Sequence, residues 1–294
     1  MQSNEQQRPA GSLSPEQVAN FERDGFLVVE NLVDPESCDV LLRRGMELAA
    51  GCDPSTFIAA FASYGKGKKY ETDNAAARYI QESADKASFF FEPSAFDGPG
   101  QLKVSKEQAI LKIGHGLHDC DPVFDTFSRQ PRFKALVESL GLRKPLLAES
   151  MYMFKHPKVG GKIDIHQDGT FLFTEPSSVI GLWTALEDAT VDNGCLWALP
   201  GGHKGGLRSR YIRTEQGDKF DVYDATPFPE NEFVPLEAKK GSVVVLHGAV
   251  PHMSRANVSP RSRQAYSVHL IDGTLPWPAG NWLQRSASNP FRGF

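Results

Sequence analysis

Residues Lys162 to Phe173 read KIDIHQDGTFLF, and His166 and Asp168 interrupt a run that otherwise alternates as a half-buried strand does, with Ile163, Ile165, Phe171 and Phe173. Successive strand side chains point to opposite faces, so residues two apart share one face. A neutral imidazole and a carboxylate held side by side supply two ligands for a divalent metal. An H-x-D on its own fits equally well a histidine held by its aspartate on a polar sheet face, so a third ligand must be sought. Behind the apolar strand GSVVV, residues 241–245, the stretch LHGAVPHMSR places His247 and His252 at the strand end or in the turn beyond it. Either could be a ligand on chemical grounds. Ser254 two residues later and Arg263 eleven residues later favour His252.

Arg263 opens the strand RQAYSVHL, in which Arg263, Ala265, Ser267 and His269 share one face. A guanidinium pointing along small neighbours into a barrel must meet an anion, because an unpaired buried charge is prohibitive. A dicarboxylate gripped bidentately is such an anion; the alternative is a surface arginine paired with a rim Asp or Glu. Two histidines and one carboxylate form a facial triad that leaves three metal positions open, the arrangement of non-haem Fe(II) oxygenases. Zinc sites instead favour four tetrahedral ligands, or three and a water. An organic acid that chelates the open face points to 2-oxoglutarate.

The elements that must position these residues follow from pattern. Residues 1–12 read as a disordered tail, after which Ser14, Pro15 and Gln17 form a capping box that starts a helix to Arg23. FLVVENL, residues 26–32, reads as a strand, and Asp34-Pro35 caps a helix to about Ala50 with a stripe of Val40, Leu41 and Leu48. Phe89–Phe91 and Ala109–Leu117 read as buried strands, and Asp121–Leu140 as two helices split by Pro131. From Pro145 the texture becomes strands punctuated by Gly and Pro, at 146–155, 163–173, 179–187, 194–199, 233–238, 242–247 and 264–271. Such spacing predicts a mainly β fold, a jelly roll whose core spans about 145–272, with the N-terminal helices packed outside. No linker marks a second domain, so residues 13–294 read as one.

Composition bounds the partners. With 294 residues, 40% of them hydrophobic, there is material for a large core, and interspersed charges summing to −4 leave no footprint for nucleic acid or an anionic membrane surface. Cys38, Cys52, Cys120 and Cys195 lack C-x-x-C spacing, which suggests neither a disulfide framework nor a thiolate zinc site. With no apolar N-terminal segment and no apolar run near a membrane-span length, the expectation is a monomeric cytoplasmic protein acting on a small molecule.

The segments DGFLVVE, KIGHGLH, SMYMFKHP, HQDGTFLFTEP, GLWTALEDATVDNGCLWALPGGHKGG, HGAVPHMS, SRQAYSVHL and NWLQR, in that order, resemble the phytanoyl-CoA dioxygenase family over about Leu13 to Gln284. The resemblance implies a double-stranded β-helix core that uses Fe(II), 2-oxoglutarate and O2. It implies that His166, Asp168 and His252 are the iron ligands and that Arg263, with Ser254 beside it, binds the distal carboxylate of 2-oxoglutarate. Lys112, Met151, Gln167 and Trp183 fall on positions lining the cosubstrate pocket. The family's G-S-H segment is Gly201-Gly202-His203 here, and Gly169 follows HQD where relatives carry Ala or Asn; neither change removes a ligand. Relatives that halogenate replace the carboxylate by a small residue, so Asp168 implies hydroxylation. His115, His118, His156, His203 and His269 read as structural histidines. The rival readings are a zinc hydrolase built on the same ligands and a non-catalytic metal and 2-oxoglutarate sensor.

Overall fold

The computed structural model describes residues 8–53, 74–98 and 101–294. Of the tail expected at 1–12, residues 1–7 lie outside the described residues, whereas Arg8 donates to the carbonyl of Leu13 at 3.0 Å. In chain order come α1 (Pro15–Asp24), β1 (Phe26–Val29), α2 (Pro35–Ala50), α3 (Asn74–Glu82), β2 (Ala87–Phe91), β3 (Phe96–Gly98), β4 (Gln101–Leu102) and β5 (Ile110–His115). Next are α4 (Leu117–Cys120), α5 (Pro122–Ser128), α6 (Pro131–Ser139), β6 (Pro145–Met153), β7 (Ile163–His166), β8 (Ile180–Ala185) and β9 (Leu196–Ala198). The chain ends with β10 (Ser209–Ile212), β11 (Lys219–Val222), β12 (Val234–Leu236), β13 (Val243–His247), β14 (His252–Ser254), β15 (Ala265–Asp272) and β16 (Arg292–Gly293).

Two antiparallel sheets form a jelly roll. The larger runs β1-β13-β8-β15-β6-β5-β2, with β16 also on β6, and the smaller runs β12-β9-β14-β7. Strands β1, β2 and β5 widen the larger sheet with chain that precedes residue 145, so the N-terminal part contributes strands as well as covering helices. On β15, Tyr266, Val268 and Leu270 face the helix-covered core with Leu41, Phe124 and Leu136, while Ser267 and His269 face the space between the sheets. That alternation is the period of two read from the sequence.

The caps are as the residues dictate. Ser14 and Gln17 close a capping box on α1, whose C-cap Gly25 takes φ +81°. The buried face of α2 is Cys38, Leu41, Gly45 and Ala49; of the expected stripe, Leu41 is buried, Leu48 packs against the core and Val40 is half-buried. Gly45 is what turns the helix: a Cβ there would lie 2.3 Å from the Tyr152 ring, so the bare backbone lets α2 close on β6.

The strand expected over 163–173 stops at His166. Asp168–Thr170 form a single 3-10 turn, with Gly169 N–H donating to Gly248 O at 2.7 Å. The apolar alternation through Phe171 and Phe173 reflects burial of a loop, which periodicity alone does not distinguish from a strand. The β10–β11 hairpin was not expected, because residues 199–233 are dominated by Gly, Pro and charge. No helix among the described residues is long and apolar enough to cross a membrane.

Candidate metal centre

Antiparallel pairing of β14 with β7 sets His252 directly opposite His166. Their rings approach to 4.2 Å between centroids. The turn after β7 then swings Asp168 between them, with Oδ1 3.7 Å from His166 Nε2 and 3.6 Å from His252 Nε2. One ligand atom from each of the three lies within 4.8 Å of the others. His166 and Asp168 thus converge as expected, but through a turn rather than along one strand face.

The tautomers are set locally. His166 Nδ1 lies 2.8 Å from Asp164 O and His252 Nδ1 3.1 Å from Val250 O. A carbonyl can only accept, so both Nδ1 atoms carry the hydrogen and both Nε2 atoms offer a lone pair inward. Partial burial, followed by the neighbouring His252, holds His166 below the ordinary imidazole range, in the neutral form that ligates. Burial would raise the Asp168 carboxyl, but His269, His252 and His166 around it outweigh that and hold it ionised, well below the usual carboxylate range. The donor set of two imidazoles and one carboxylate suits Fe(II), and half the coordination sphere is left to other ligands.

His247 is elsewhere. Its Nδ1 accepts from Ala249 N–H at 3.0 Å and its ring lies 5.0 Å from that of His203. The choice between the two C-terminal histidines falls to His252.

The triad opens on a cavity of about 110 Å³ walled by Leu182, Trp183, Met151, Met153 and Leu196 and lined also by Ser254 and Arg263. Arg263 is 1% exposed. Its Nε donates to Gly194 O at 2.9 Å and its guanidinium lies 5.1 Å from the Trp183 ring centre, yet Nη1 has no hydrogen-bond partner. Burial without a counter-ion pushes its pKa down to about 10. A buried, unsatisfied cation beside a cavity is a place for an anion. Ser254 Oγ accepts at 2.8 Å from Lys155 Nζ, which also reaches Gly161 O at 2.5 Å. Burial, then the charge of Arg263, pushes the lysine down to about 7.

Lys112 also lines the cavity, its Nζ 3.3 Å from Met151 Sδ and 3.1 Å from His115 Nε2. Met151 and Trp183 lie in the wall. Gln167 departs from expectation. Its amide nitrogen donates to Gly206 O and Ala249 O and its oxygen accepts from Arg208 N–H, at 2.9, 2.6 and 2.9 Å. The next side chain after His166 points to the opposite side of the chain, so Gln167 ties loops together behind the triad instead of lining the cavity.

The sequence profile of the phytanoyl-CoA dioxygenase (PhyH) family matches residues 21–265. The chain belongs to this family. It is 43% identical over 277 residues to the phytanoyl-CoA dioxygenase of Arabidopsis thaliana, covering 94% of this chain and 95% of the relative. It is 42% identical over 285 residues to phytanoyl-CoA dioxygenase domain-containing protein 1 of Rattus norvegicus, covering 95% and 97%. Among solved structures, the non-heme alpha ketoglutarate dependent carbocyclase SnoK from nogalamycin biosynthesis aligns with TM-score 0.63 at 19% identity, covering 97% of this chain and 96% of that one. EctD from S. alaskensis, solved with 2-oxoglutarate and 5-hydroxyectoine, aligns with TM-score 0.61 at 17% identity, covering 93% and 84%. These two share the fold. Membership of the phytanoyl-CoA dioxygenase family supports an oxidoreductase.

Three residues about this family member's site were given no role in it by the sequence. Glu149, on the inward face of β6, and His269 lie in contact, His269 Nδ1 3.2 Å from Glu149 Oε1. Lys155 follows the same strand. The available signal was the one that exposed His166 and Asp168: an ionisable residue set inside an apolar run, here PLLAESMYMFK.

Proposed function

We propose that the chain is an Fe(II)- and 2-oxoglutarate-dependent dioxygenase that hydroxylates a small organic substrate with release of succinate and CO2. The observation that carries this reading is the pairing of a His166, Asp168 and His252 cluster with an unsatisfied, buried Arg263 Nη1 in the lining of the same small cavity. When bound, iron supplies the O2 activation and the oxidation, which lie outside amino-acid chemistry.

The chain's own residues bind, orient and exclude. His166 Nε2, Asp168 Oδ1 and His252 Nε2 would hold the ion. Arg263 would take the distal carboxylate of 2-oxoglutarate, with Ser254 Oγ held ready by Lys155. Trp183, Leu182, Met151 and Met153 wall the space between and keep water from it. At about 110 Å³ the cavity is well below the roughly 300 to 1,000 Å³ of a typical ligand pocket, so it suits the cosubstrate. Substrate would then approach from the side of His166, whose side chain is 31% exposed.

A hydrolase on the same ligands needs a free general base beside them. Among the described residues lining the cavity, the sole carboxylate, Asp168, belongs to the triad, and the one imidazole outside the triad, His269, is held between Asp168 and Glu149. The test is anaerobic loading with Fe(II), then measurement of succinate formed from 2-oxoglutarate on admitting air, with acyl-CoA, free-acid and nucleobase candidates. Succinate above a His166→Ala control is expected; none under any condition would remove the oxygenase reading.

A further inference from the structure

His269 was expected to be an ordinary structural histidine. Its surroundings say more. Residue 269 projects from the inward face of β15, opposite Glu149 of β6 on one side and Gly181 of β8 on the other. Its Nδ1 lies 3.2 Å from Glu149 Oε1 and its Nε2 lies 3.2 Å from Asp168 Oδ2. All three side chains are buried. The second oxygen of Asp168 therefore faces the imidazole, while Oδ1 faces the two ligand histidines.

Gly181 leaves room for the approach. A Cβ at that position would sit 3.3 Å from both Asp168 Oδ2 and His269 Cδ2, tighter than side chains normally pack. Glu149 Oε1 stands behind the ring, so the imidazole lies between two buried carboxylates, each 3.2 Å away. β15 and β8 of the larger sheet thus border the second oxygen of Asp168, with Glu149 of β6 behind the imidazole.

We infer that His269 is a positioning residue for Asp168, holding Oδ2 so that only Oδ1 is presented toward the metal position and the open half of the site stays available to 2-oxoglutarate and O2. The inference rests on the metal-centre reading above. A carboxylate with both oxygens loose can ligate through either or both; one with its second oxygen engaged presents a single donor in a fixed direction.

Co(II) serves as the probe, since its visible absorption reports affinity and ligand arrangement without turnover. Wild type, His269→Leu, His269→Asn, His269→Gln and His166→Ala are titrated with Co(II), then with 2-oxoglutarate, and folding is followed by circular dichroism. The glutamine amide nitrogen reaches about as far as Nε2; the asparagine amide has the same chemistry and falls short. Loss of a partner that orients a ligand typically lowers metal affinity about 10- to 100-fold. His269→Leu and His269→Asn are expected to show that loss with an altered Co(II) band, whereas His269→Gln stays within about threefold of wild type with an unchanged band. If His269→Leu does not fold, the comparison of Asn with Gln decides. Equal binding by all three variants, or equal loss in all three, overturns the inference while leaving the metal centre standing. Binding by His166→Ala as tight as by wild type, or none by wild type, overturns the metal-centre reading and the inference with it.

Discussion

Replacing Arg263 by Met is expected to move stability and ligand binding in opposite directions. The guanidinium is 1% exposed, with Nε bonded to Gly194 O and Nη1 unsatisfied. Its fall to about 10 from the ordinary arginine value corresponds to about 3 kcal/mol of unfavourable burial, present at every pH below about 10, because the unfolded chain keeps the proton to higher pH. Methionine removes that penalty and loses the bond to Gly194, about 1 to 1.5 kcal/mol. The free protein should therefore be unchanged or stabilised by about 1 to 2 kcal/mol. Binding behaves otherwise. Losing a buried charge partner costs about 2 to 5 kcal/mol, and about 3 kcal/mol is roughly 100-fold in Kd. With Co(II) present and 2-oxoglutarate at about 100 times the wild-type Kd, the ligand should stabilise wild type by about 2.7 kcal/mol and the variant by about 0.4. Denaturant unfolding with and without ligand reads both quantities. 2-oxobutyrate, which lacks the distal carboxylate, should bind wild type and variant alike. Undiminished 2-oxoglutarate binding by Arg263→Met, or equal weakening of both acids, would refute the reasoning.

Lys155 gives a pH signature. Its pKa in the fold, about 7, lies below that of the unfolded chain, which therefore binds more protons, so stability should rise by about 2 to 3 kcal/mol between about pH 7 and pH 9. In urea unfolding that slope should flatten in Lys155→Met. Gln167→Ala should lose about 2 to 3 kcal/mol of stability through its three bonds to loop backbone, and calorimetry should find its 2-oxoglutarate Kd within about threefold of wild type. His247→Ala should bind one Co(II) per chain like wild type, whereas His252→Ala should bind none; equilibrium dialysis separates the two histidines.

The fold was legible where one face of an element is wet or small and the other apolar. On β15 the alternation of Ala265, Ser267 and His269 with Tyr266, Val268 and Leu270 gave both the strand and the side that faces the cavity. The same logic failed at Phe171 and Phe173, since a loop pinned by Gly169 to Gly248 buries its aromatic residues as a strand would. The triad was readable because ionisable residues in apolar runs demand a reason. The choice of His252 over His247 came from Ser254 and Arg263 downstream and from the resemblance; the register of β14 on β7 that sets His252 opposite His166 is encoded by no local pattern. Gln167 was misplaced because the resemblance assigned it to the cosubstrate pocket, whereas the backbone alternation after His166 turns it away. Glu149 and Lys155 follow no metal- or anion-binding spacing; their roles arise from neighbours on other strands and loops.

The position of one bound ion is the most direct test of the site. Crystals grown with Mn(II) and 2-oxoglutarate, measured for anomalous scattering, should show a single strong peak bounded by His166 Nε2, Asp168 Oδ1 and His252 Nε2, with the dicarboxylate running from it to Arg263. A peak elsewhere, or a peak at the triad with the acid's far end away from Arg263, would contradict it.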